Sequence, residues 1–109
     1  MRKLTFTPIA ERRLEAISEW TFQRFGPRQA GRYEEEIVAR CAGIASGTVP
    51  SQNCSVLTET NISTPLRFTR TGKHMIIFLE YHDRCVVVEL LHSSSDLAAH
   101  VADLALLYS

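Results

Sequence analysis

The chain has 109 residues, with 12 Lys and Arg against 12 Asp and Glu. That length argues for a single domain, one able to bury about two-thirds of its unfolded surface without disulfide or metal staples. Zero net charge argues against a protein whose main task is gripping a phosphate backbone, because each neutralised phosphate needs a Lys or Arg. Hydrophobic residues make up 45% and charged residues 22%, as in ordinary soluble proteins. Cys41, Cys54 and Cys85 are odd in number and far apart. They match no zinc spacing or secreted disulfide framework and read as free thiols in a reducing cytoplasm. The N-terminus has no apolar signal core, and no apolar run approaches the roughly 20 residues of a membrane span.

Taken in chain order, Lys3–Thr7 alternates, with Leu4 and Phe6 on one side, and predicts a short strand. Thr7-Pro8 then starts a helix: threonine caps with its hydroxyl, and proline suits the first helical position. Ala10, Leu14, Ile17 and Thr21 form an apolar stripe, opposed by Arg12, Arg13, Glu15 and Glu19. Gly26 ends this helix and Pro27 opens the next, so the two form a tight antiparallel hairpin. Ala30, Tyr33, Ile37, Cys41 and Ile44 make the second stripe, while Glu34, Glu35 and Glu36 read as a solvated face. Gly47 and Pro50 close the helix.

Gly47–Thr64 is rich in Ser, Thr, Asn and Pro and shows no sustained period. It is either an irregular, functional loop or one that holds a short helical turn or strand around Cys54–Leu57. Leu66–Arg70, His74–Tyr81 and Cys85–His92 then predict three strands, joined by turns at Thr71-Gly72 and His82-Asp83-Arg84, as an antiparallel meander. Ser93, Ser94, Ser95 and Asp96 offer caps for a last helix carrying Leu97, Val101 and Leu104. The expected architecture is α+β in two layers, β-α-α-β-β-β plus a C-terminal helix. The first strand pairs at the edge of a small antiparallel sheet, and the helices lie on one side.

Ala10-x3-Leu14-x2-Ile17-x2-Trp20, Phe25-Gly26, Gln29-Ala30-x2-Tyr33 and Ile37, then Gly72-x-His74 and Leu90-Leu91-His92 with Asp96 and His100, occur in order. From about Phe6 to Val101 the chain thereby resembles the ParE branch of the RelE/ParE toxin superfamily. The resemblance implies two helices packed on a small antiparallel sheet and a ParD-like antitoxin that wraps and silences the toxin. It also implies that the antitoxin alone contacts promoter DNA and that the freed toxin inhibits DNA gyrase. No cofactor, metal, membrane or catalysis is implied. The alternatives are a ribosome-dependent mRNA endonuclease of RelE-like type and an inactive homologue that survives as a co-repressor.

Site residues are read against this background. Trp20 sits one position off its stripe, and Phe22 and Phe25 exceed what one stripe can bury, so Trp20 and Phe22 are expected to border an antitoxin groove. Tyr33, within the resembling motif, joins them. Arg67 and Arg70, with Lys73 and His74, are either exposed edge charges or a small basic surface facing an acidic antitoxin segment or a nucleic-acid backbone. The resemblance points to the C-terminal region for toxicity, and there Arg84, His92, Ser93 and His100 are the candidate target contacts. RNA cleavage needs a base for the 2′-hydroxyl, an acid for the leaving oxygen and cations for the phosphate, and under the endonuclease reading Glu59, Arg67 and His92 are the candidates for those roles. His74, His82, His92 and His100 show no metal-ligand spacing on one element.

Overall fold

A computed structural model describes residues 2–59 and 61–108. Its elements in order are β1 (Lys3–Phe6), α1 (Pro8–Phe25), α2 (Pro27–Ser46), β2 (Gln52–Asn53), α3 (Ser55–Thr58), β3 (Leu66–Thr71), β4 (His74–Glu80), β5 (Arg84–His92) and α4 (Leu97–Leu107). The helix boundaries follow the local chemistry. Thr7 Oγ1 accepts the Ala10 N–H at 3.1 Å, and Pro8 opens α1. At the corner between α1 and α2, Gly26 takes φ +89°, a region that L side chains rarely enter, and its N–H returns to Phe22 O. α2 ends at Gly47, in the left-handed conformation. The long segment after it holds both of the elements left open by the sequence, a two-residue strand and a single turn of helix.

The sheet order is β1-β5-β4-β3-β2. The β3–β4–β5 meander is antiparallel, and β2 extends it through Gln52↔Phe68 and Asn53↔Arg67. β1 does pair at the meander's edge, but parallel to β5, through Lys3↔Arg84 to Phe6↔Val87. A parallel pair needs a long crossover, and the α1–α2 hairpin lies within the one that separates these strands. The sheet is therefore mixed.

The apolar residues divide into two cores. Ala10, Ile17, Ile37, Cys41 and Ile44 of the hairpin bury against Ile76, Phe78, Cys85, Val87 and Leu90. On the opposite face, Val101 of α4 and Cys54 bury against Leu66, Phe68, Ile77, Leu79, Val88 and Leu91. Expecting all helices on one side was thus wrong: α3 and α4 cover the second face. The physical reason lies in β4 and β5, whose Met75–Leu79 and Cys85–Val88 stretches are continuously apolar. Such strands are buried on both faces.

One irregularity sets up the site described below. At Ile77/Phe78 the β4–β5 register slips by a residue, so that Phe78 faces Val87 while Ile77 faces Glu89. Val88, between these two partners, is the extra residue of a β-bulge. Were Val88 paired with Ile77 in an unbroken register, His74 would lie opposite Leu91. With the bulge, His74 faces His92.

Candidate functional site

An open groove of about 870 Å³ runs between the α1–α2 hairpin and the ends of β4 and β5. Ile17, Leu90 and Leu91 contribute apolar surface, and Trp20 and Phe25 stand along α1. These two rings meet edge to face with centroids 6.2 Å apart, and the Arg24 guanidinium lies 4.9 Å from the Trp20 centroid. Trp20, Phe22 and Phe25 are 54%, 53% and 57% exposed, which decides that none is a core residue. Trp20 and Phe25 line the groove, and Phe22 is exposed on the same helix.

The polar end of the groove is built from three elements. Tyr33 projects from α2, and its hydroxyl donates to Thr71 O at 3.1 Å and lies 2.6 Å from His74 Nδ1. The β3–β4 turn makes room for the ring: Gly72 has φ +55°, and a Cβ there would come within 2.7 Å of the Tyr33 hydroxyl and ring. The His74 and His92 rings are nearly perpendicular, with centroids 5.3 Å apart. His92 Nδ1 accepts the Ser94 N–H at 3.1 Å, and Ser94 Oγ lies 2.7 Å from the same atom. Burial, and then the neighbouring His92, hold His74 below the ordinary histidine value. Burial also pushes the Tyr33 hydroxyl up, so tyrosine remains a neutral hydrogen-bonding group. Lys73, Arg32, Arg13 and His100 complete the rim, with Glu36 the one acid among the lining residues. Arg13 is held by Glu89 at 3.0 Å.

The other sequence candidates fall elsewhere. Arg67 is committed to the segment before β2: its Nε donates to Ser51 Oγ at 2.8 Å, its Nη2 to Ser51 O at 2.7 Å, and Glu80 Oε1 is 3.7 Å away. Arg70 is exposed and bonds Gly72 O at 3.0 Å. Glu59 caps α3 with φ +59° on the face away from the groove. Glu59 and Arg67 are therefore not gathered around His92. Arg84 begins β5, where it stacks 4.3 Å from the Tyr81 centroid. His92 and Ser93 lie at the other end of β5, roughly 25 Å away at ~3.3 Å per residue. His100 joins His92 at the groove, so the four candidate target contacts split into two places.

The His74–His92 pairing is what sequence reading missed. Its signal was available only as a bulge, which shifts the register by one residue and has no marker such as Gly or Pro here. Burial pushes the Cys41 and Cys54 thiols up to about 12, which leaves them protonated and unsuited to nucleophilic or ligand roles. Among the described residues, no group of three or more His, Cys, Asp or Glu could hold a metal ion, and no helix is long and apolar enough to cross a membrane.

A family model described as the ParE toxin of type II toxin-antitoxin system, parDE, matches residues 4–97. The chain belongs to this ParE toxin family. The match spans β1 through the first residue of α4, and so takes in the hairpin, the meander and both histidines of the groove. Among solved structures, a chain described as the chromosomal ParDE TA system from P. aeruginosa has the same fold. It aligns with TM-score 0.65 and 14% identity, over 84% of this chain and 96% of that one. No curated protein sequence gives a significant match. The part of this ParE-family chain beyond the family match is most of α4, the helix that covers the second face of the sheet.

Proposed function

We propose that this ParE-family chain is a toxin that inhibits DNA gyrase without catalysis of its own and is neutralised in the cytoplasm by a ParD-like antitoxin. Promoter DNA is contacted only through that antitoxin. The observation that carries the reading is the family match over residues 4–97. Two features agree with it. Trp20, Phe22 and Phe25 leave a large aromatic surface open along α1, which suits a protein that spends most of its life in a complex. The residues considered for RNA cleavage, Glu59, Arg67 and His92, lie apart, and Arg67 is engaged by Ser51 and Glu80.

The antitoxin contacts assigned to this reading are Trp20, Phe22 and Tyr33 on the hairpin, with Arg67 and Arg70 on β3. The gyrase-directed contacts are His92, Ser93 and His100 near the groove and Arg84 at the far end of β5. Inducing the chain alone in a bacterium tests the function. Blocked gyrase supercoiling with intact mRNA is the expected result. Cuts in mRNA at codon edges would replace this reading with an endonuclease. Normal growth despite folded protein would leave only a co-repressor.

A further inference from the structure

The two groove histidines are held in unequal ways. The backbone N–H of Ser94 can only donate, so His92 Nδ1 is an acceptor and the neutral ring carries its proton on Nε2. When Tyr33 donates to Thr71 O, its oxygen is free to accept from His74 Nδ1–H, and that bond serves the imidazolium as well as the neutral ring. Among the described residues neither Nε2 has a hydrogen-bond partner. The two rings therefore differ in their Nδ1 partners: His74 meets a hydroxyl that can accept, and His92 meets a backbone N–H that can only donate.

Among the described residues, no carboxylate is bonded to His74, whose ring meets Tyr33 and His92. α2 presents Tyr33, Arg32 and Glu36, α1 presents Arg13, the β3–β4 turn presents Lys73, and α4 presents His100. Glu89 of β5 is taken by Arg13. Arg13 and Glu89 offset each other, so two permanent cations, Arg32 and Lys73, and a third histidine face one further carboxylate, Glu36, at the polar end of an otherwise apolar groove. An anion entering here would meet the imidazole of His74 and a small excess of positive charge.

We propose that the groove seats an acidic, apolar-anchored segment of the antitoxin, and that His74 takes up a proton as the segment binds, so that the toxin–antitoxin affinity depends on pH. This rests on the antitoxin reading above. An acidic side chain accepts from the protonated His74 ring and supplies the bonded counter-charge that His74 lacks in the free chain. By linkage, binding that raises the proton affinity of His74 is strengthened as pH falls.

The test uses the full-length chain and its co-expressed ParD-like antitoxin, separated and then titrated from pH 7.5 to 5.5. Trp20 is the chain's single tryptophan and stands at the groove, so its fluorescence reports binding. Expected is an affinity on the order of tenfold tighter at pH 5.5 than at 7.5. His74→Gln should flatten that dependence while keeping the high-pH affinity, and His82→Gln, at the other end of β4, should leave it intact. NMR titration of the imidazole protons should show His74 alone moving up on complex formation. An affinity that is level with pH, or a pH dependence that survives His74→Gln, overturns the proposal and leaves the antitoxin reading standing. No binding at any pH overturns both.

Discussion

Tyr33 shows how one side chain can tie distant segments together. It begins as a member of the α2 stripe, and its hydroxyl reaches Thr71 and His74, 38 and 41 residues further on. Tyr33→Phe removes that hydroxyl, and leaving Thr71 O without its donor should cost about 1 kcal/mol, measured by urea unfolding. Trp20 is the opposite kind of aromatic. At 54% exposure it contributes little to the core, so Trp20→Ala should change stability by no more than about 0.5 kcal/mol. The same substitution should weaken antitoxin binding by more than 1 kcal/mol, as truncating an interface anchor does. Isothermal titration beside denaturant melts separates the two effects, and an unchanged affinity would remove Trp20 from the interface. His74 gives the free chain a pH dependence of its own. Its folded value is lowered by burial and by His92, so the unfolded chain binds the proton more readily. Stability is therefore fully present above the ordinary histidine value, about 6.5, and declines as pH falls through it towards the lower folded value. Thermal melts across pH 7.5 to 5 should show that decline, and His74→Gln should reduce it.

At the scale of elements, turns and register matter more than propensity. Gly26 and Gly72 both have positive φ, but for different reasons. Gly26 lets two helices meet at a corner with open space around it, whereas Gly72 also lies under the Tyr33 ring. Gly26→Ala should therefore cost about 1 kcal/mol from backbone strain alone. Gly72→Ala adds a clash and should cost more, with a visible loss of the Tyr33–His74 contact by NMR. The β4–β5 bulge is the other deciding feature, since it places His74 beside His92 instead of Leu91.

For the whole molecule, the consequential feature is a sheet buried on both faces. Ile76 packs under the α1–α2 hairpin and Ile77 under α4, and both are fully buried. Ile76→Ala and Ile77→Ala should each cost about 2–5 kcal/mol, a pair measurable by denaturant melts. Were the helices confined to one side, Ile77→Ala would be nearly silent. The hairpin and α4 thus divide the work: the first builds the groove wall, and the second closes the far side of the sheet that carries the groove floor.

Every long element of this protein was legible in its residues, because caps, glycines and apolar spacing are local signals. Thr7-Pro8, Gly26-Pro27 and Gly47 bound the helices where they stand, and the hairpin stripe is buried as its spacing requires. The surplus of Trp20, Phe22 and Phe25 also told correctly that the hairpin has an open aromatic edge. The placement of α4 was partly legible too, in the unbroken apolar runs of β4 and β5, which alternation-based reading passes over. Three things were decided only in three dimensions. The parallel pairing of β1 with β5 depends on where a 77-residue excursion returns the chain. The splitting of Arg84 from His92 follows from the length of β5. The meeting of Tyr33, His74 and His92 follows from a one-residue bulge closed by a glycine turn and a helix on another layer. Strand register is a collective property of paired backbones, so no local stretch of residues records it.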